Sequence, residues 1–198
     1  MSQTKSKKGS VVAENLKYCR DSFDYIVKMS MEKIKKGGRI DSEFMAIVFL
    51  ENEPDFTIIP VPLGDTIDAQ QRKDVIEETG KDLAEKNAKA MVFITLAEAW
   101  VSSQKLSSRI FVRPKDDPKR KEVFIASAQD KDGYIRNMSY EIKRKTGGIE
   151  LVKMSLFGKS QDKFVHNWTN PKDDPRLKTV NSLTDIAWKA YQDIIKKQ

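Results

Sequence analysis

The stretch EFMAIVFL at residues 43–50 confines what this chain can fold into. Its apolar run, residues 44–50, suits a strand buried on both faces rather than one with a wet side. It is far shorter than the roughly 20 residues needed to span a bilayer. The turn ENEPD follows, and then FTIIPVP, a second strand whose Pro60 and Pro62 cannot donate ladder hydrogen bonds and so belong at a sheet edge.

Helical spacing flanks this pair. Between residues 13 and 36 there is no proline or glycine, and Leu16, Cys19, Phe23, Ile26, Val27 and Ile34 recur on one face until Gly37-Gly38 ends the helix. A second helical pattern covers residues 68–89, weakened in its middle by Gly80. Strands are expected in AMVFITLAEAWVSS and EVFIASA, and the turn QDKDG places Gly133 where a positive φ is wanted. The segment YIRNMSYEIKRK alternates, with Tyr134, Met138, Tyr140 and Ile142 on one face and Asn137, Ser139, Glu141 and Lys143 on the other. IELVKMSLF reads as the next strand and LTDIAWKAYQDII as a closing helix. The pattern predicts an α+β fold. A mixed, largely antiparallel sheet of five to six strands carries long N-terminal, middle and C-terminal helices, packed mainly on one face. Residues 1–10 have the composition of a disordered basic tail, and residues 11–198 that of a single domain.

Charge is distributed in blocks. Residues 1–39 carry a net +6, residues 40–112 a net −6 and residues 113–198 a net +7, which sum to the chain's +7. Such basic ends around an acidic middle suit nucleic acid, an acidic partner, self-association or plain solubility. The basic clusters at 5–8, 33–39, 113–121 and 143–145 lack interleaved aromatics and any helix-turn-helix punctuation. No secretory signal is visible at the N-terminus, and the lone Cys19 cannot form an internal disulfide. Together these give a cytoplasmic expectation with no membrane partner.

Several chemistries lack their residues. With one histidine, His166, and one cysteine, a structural zinc site is short of ligands, and neither Gly-Gly pair sits in a phosphate-loop pattern. No metal or cofactor is expected. The sharpest catalytic candidate is a Mg²⁺-dependent nuclease arrangement. In it Asp130 or Asp132 precedes Glu141-Ile142-Lys143, so that carboxylates hold the ion and Lys143 orients water. Against it, both aspartates lie in a glycine turn, and Glu141 and Lys143 lie on a polar strand face where charges are expected anyway.

Two further features stand apart. PKDDP occurs at 114–118 and again at 171–175; Asp-Pro favours a turn in which the carboxylate accepts from an amide two residues on. Glu98 is an acidic residue in an apolar strand, within reach of Arg113 or Arg120 as an ion-pair partner. VFITLAEAWVSS followed by RPKDDPKRKEVFIAS resembles a group of small bacterial proteins of unknown function. In these a strand ending in E-A-W precedes P-x-x-D-P-x-R-x-E and another strand. Glu98, Ala99, Trp100, Pro114, Asp117, Pro118, Arg120 and Glu122 match that pattern, which lies within residues 92–127. The resemblance implies an α+β fold and no particular activity. It marks Glu98, Trp100, Asp117, Arg120 and Glu122 as candidate binding residues. The sequence thus reads as a non-catalytic binding or interaction module, with nucleic-acid association and nuclease chemistry as alternatives.

Overall fold

The computed structural model describes residues 4–50, 55–63, 68–102, 116–154, 168–169 and 183–198. Helix α1 (Thr4–Lys35) leads into β1 (Glu43–Phe49) and β2 (Phe56–Pro62); α2 (Ala69–Glu85) follows, then β3 (Lys89–Val101), β4 (Lys121–Asp130), β5 (Ile135–Lys145), β6 (Gly148–Lys153) and α3 (Leu183–Ile195). The six strands form one sheet in the order β2-β1-β3-β4-β5-β6. Every neighbouring pair is antiparallel, so the mixed element of the expected sheet is absent among the described strands. The proline-bearing strand β2 takes an edge, as its missing donors require.

The helices do not gather on one face. Successive strand residues point to opposite sides, and β1 divides its run accordingly. Met45 and Ile47 join Cys19, Phe23, Val27 and Ile34 of α1 in one core cluster. Phe44, Ala46 and Val48 join Ile76 and Leu83 of α2 with Ala187 and Trp188 of α3 in another. The expectation of helices mainly on one face is therefore corrected: α1 covers one side and α2 with α3 the other. A strand that is apolar on both faces needs cover on both.

Local chemistry sets the helix limits. Asp68 caps α2 through the amides of Gln70 and Gln71, and the Gln71 side chain returns a bond to the Asp68 amide. Helix α1 closes on Gly37, at φ 87°, with the Gly37 and Gly38 amides donating to Ile34 and Lys33 carbonyls. It begins at Thr4, so residues 4–10, whose composition reads as a tail, continue the helix. Once the packed portion has nucleated a helix, each added residue costs little. Gly80 has a packing reason: a Cβ there would stand 2.4 Å from the Ala187 carbonyl oxygen, so α2 and α3 approach too closely for any side chain.

A bulge lies between β1 and β3. Ile47 faces Val92 and Val48 faces Ala90, leaving Met91 as the extra residue, and both Met91 and Val92 enter the α1-side core. Beyond it β3 outruns its neighbour. Glu43, the first residue of β1, faces Leu96, while β3 pairs with β4 as far as Val101. Residues 97–101 therefore have no β1 partner, and this overhang carries Glu98 and Trp100. Among the described residues no helix is long and apolar enough to cross a membrane.

Candidate binding corner at the sheet end

The end of α1, the overhang of β3, the start of β4 and the end of β5 meet at one corner. Glu98 and Trp100 follow Ile94 and Leu96 on the α1 face of β3, and Glu122 precedes Phe124 on the same face of β4. Trp100 faces Glu122 across the β3–β4 ladder. The chain leaving α1 turns at Gly37-Gly38 and buries Ile40, whose amide donates to Glu98 Oε1 at 2.7 Å. Glu98 is thus held by a backbone donor. Arg113, one of its two expected ion-pair partners, lies outside the described residues. The other, Arg120, sets its guanidinium 4.5 Å from the Trp100 ring centroid, while 45% of Trp100 stays exposed.

Asp117 shapes the entry to β4. It is 3% exposed, and one carboxylate oxygen accepts from Ser102 Oγ. The other accepts from the Lys119 amide at 2.8 Å, and the Asp117 carbonyl accepts from the Arg120 amide at 3.0 Å. This is the Asp-Pro turn that the first PKDDP predicts. The second copy and His166 lie outside the described residues. Glu122 is gripped by a residue that sequence reading missed. Arg144 of β5 donates from Nε and Nη2 to its two oxygens at 2.9 and 2.7 Å. That forked contact, with Glu98 adding attraction, holds the guanidinium above its ordinary pKa. Only the register of β4 against β5 brings the two together, so nothing local in the sequence signals the pair.

The corner encloses a cleft of about 190 Å³ lined by Arg39, Asp41, Ser42, Glu98, Trp100 and Glu122. Of the five candidate binding residues, Glu98, Trp100 and Glu122 line it and Arg120 lies over the Trp100 ring, while Asp117 shapes the turn before β4. Basic residues from three stretches distant in sequence reach this end of the sheet, with Arg39 in the cleft and Arg144 on Glu122 at the α1 side, and Lys121 on Glu141 at the opposite side. Carboxylates arrive with them. Across residues 33–43, 98, 116–122 and 141–150 there are ten basic and eight acidic side chains, a surplus of two. The end is charged and mixed in sign, not a uniformly basic face.

The nuclease arrangement is not assembled. Asp130 points to the α1 side of the sheet, where it pairs with Arg20. Its other oxygen accepts from the amides of Asp132 and Tyr134 at 3.0 and 2.9 Å, closing the β4–β5 turn. Asp132 is exposed beyond it. Glu141 and Lys143 point to the opposite side, since Met138, Tyr140 and Ile142 take the α1 face, and Glu141 pairs with Lys121. Along the strand Glu141 stands six positions past Ile135, the partner of Gln129, or about 20 Å at the rise of a strand. One ion with ligand bonds of roughly 2 Å cannot join such groups. Alternation correctly put Glu141 and Lys143 together but said nothing of Asp130's side.

The lone thiol is also out of play. Cys19 is fully buried under the sheet, and burial pushes its pKa up to about 12, leaving it a small apolar core residue at neutral pH.

A family model described as "Bacteriophage lambda protein ea47" matches residues 14–169, a span that includes the whole corner. No curated protein and no solved structure matches the chain.

Proposed function

The chain belongs to the family of bacteriophage lambda protein ea47, and we propose that it acts there as a non-catalytic, cytoplasmic binding module that meets a protein partner through the β3–β4 corner. The observation carrying this reading is Trp100, left 45% exposed on a strand overhang with Arg120 laid over its ring beside a polar cleft. Tryptophan and arginine are the residue types that dominate protein interfaces, and a large ring left in water gains by being covered. The surrounding carboxylates are already oriented by Ile40, Arg144 and the Asp117 turn, so little order remains to be imposed on binding.

A second reading, nucleic-acid association, is favoured by the convergence of the three basic stretches at this same end, where an aromatic ring could stack a base. The surplus of only two positive charges weakens it.

The test recovers the native protein and its Trp100→Ala and Arg120→Ala forms together with whatever they carry. A protein retained by the parent and lost from both variants, with circular dichroism unchanged, is the expected result. A partner held equally by all three forms removes the corner from the interface. Anisotropy of a labelled oligonucleotide decides the second reading, because no binding at roughly 50 mM salt would dismiss it.

A further inference from the structure

The outward face of α1 carries Tyr18, Tyr25 and Met29, exposed by 49%, 62% and 47%, three of the six large apolar side chains most open to water among the described residues. Steps of seven and four place them in one stripe, opposite the Cys19, Phe23, Val27 and Ile34 face that packs on the sheet. Beside the stripe run Asp21 and Lys28, seven residues apart, both exposed and neither bonded to a charged partner among the described residues. In sequence the same seven-residue spacing continues back to Glu14 and on to Lys35, giving the order acid, acid, base, base.

That order is self-complementary in one arrangement only. If a second α1 runs antiparallel across the first, with a two-fold axis beside Tyr25, then Asp21 meets Lys28 of the second copy and Lys28 meets its Asp21. Each contact is repeated by symmetry, because a two-fold interface uses one patch twice. Antiparallel helices bring the same flank of each into contact, which places these charges where flanking pairs set partner and orientation. A parallel pair would instead set the two copies of this flank on opposite sides of the seam, so that Asp21 and Lys28 would not meet each other at all. The apolar stripe would form the seam, Tyr18 packing near Met29 of the other chain and the two Tyr25 rings lying near the axis.

We propose that α1 is a self-association surface, on which a second copy of this chain docks antiparallel through Tyr18, Tyr25 and Met29, with Asp21 and Lys28 fixing the register. This pairing is separate from the β3–β4 corner and does not depend on what that corner binds.

The experiment is sedimentation equilibrium of the full chain, monomer mass 22.7 kDa, across the micromolar range. The wild type is expected to dimerise reversibly. Asp21→Lys alone and Lys28→Asp alone should each weaken the dimer by roughly tenfold, since each creates two like-charge contacts per dimer. Combining both substitutions in one chain swaps the charges but keeps them complementary, and should restore the parent constant. Tyr25→Glu should leave only monomer, while Trp100→Ala changes nothing. A wild type that is monomeric throughout, a dimer indifferent to Tyr25→Glu, or a double variant no stronger than the singles would each overturn the proposal. Because all the altered side chains are exposed, far-UV circular dichroism should match the parent in every variant.

Discussion

The two ends of the sheet face covered by α1 are built from the same kinds of residue and are finished in different ways. At the β4–β5 turn, Arg20 lies 5.1 Å from the ring centroids of both Tyr134 and Trp168 and pairs with Asp130. At the corner, Arg120 lies 4.5 Å from the centroid of Trp100, a ring that shares its cleft with Glu98 and Glu122. Asp130, however, is 1% exposed, and both of its oxygens are taken up by Arg20 and by two backbone amides. That end ties α1 to a hairpin more than a hundred residues away. At the corner the carboxylates are oriented, yet Trp100 remains open and a cleft remains beside it. The presence of an arginine, an aromatic ring and an acid does not by itself separate a brace from a binding surface. Completion of the hydrogen bonds and loss of solvent contact do.

The largest expected effect breaks the brace. Asp130→Ala leaves a partly buried Arg20 and two turn amides without their acceptor, and should cost about 2–4 kcal/mol in urea unfolding. Glu98→Ala removes one accepted bond from a buried amide and should cost about 1 kcal/mol, most of it recovered in Glu98→Gln, whose amide oxygen still accepts. Equal losses at the two ends would erase the distinction.

Cys19 offers a local reporter of the same contrast, since it neighbours Arg20 and packs under the sheet. Its thiol ionises near 9.0 when unfolded and about 12 when folded. A raised folded value favours the neutral form. This contribution to stability is therefore intact below pH 9 and declines as pH rises from there toward 12. At pH 8, thiol modification should be slow in the wild type and about tenfold faster in Asp130→Ala, which opens α1 more often. Trp100→Ala should leave the rate unchanged. A rate that rises equally in both variants would mean that the corner also holds α1 down.

Much of this layout is legible in the sequence. The order of helices and strands follows from periodicity, the edge position of β2 from its prolines, and the first PKDDP turn from aspartate and proline chemistry. Glu98, Trp100 and Glu122 share the corner because β3 and β4 pair in register, which follows from two adjacent strand patterns. What was hidden depends on contacts far apart in the chain. EFMAIVFL requires cover on both faces, but which helix supplies each side is decided by packing such as the Gly80–Ala187 approach. Asp130 looks like a metal ligand until Arg20, from the first helix, is seen to occupy it. Alternation within β5 assigns Glu141 and Lys143 to one face, whereas only the β4 register and side-chain contacts reveal that Asp130 points to the other.

The smallest expected effect is the one that most sharpens the contrast. A cation over an exposed ring is worth roughly 0.5–1 kcal/mol, because water competes for the cation and the ring keeps a wet edge. A double-mutant cycle of Trp100→Ala with Arg120→Ala, read by urea unfolding, should return a coupling in that range, and Trp100→Ala alone should change stability by less than about 1 kcal/mol. A larger coupling, of about 2 kcal/mol or more, would mean that the stack is desolvated and bears on folding. The corner would then be a second brace like the one at Asp130, and the binding role would have to be sought elsewhere on the molecule. A small coupling leaves the Trp100 ring held in place at little cost to the fold, so that a partner covering it would gain nearly the full benefit of removing it from water.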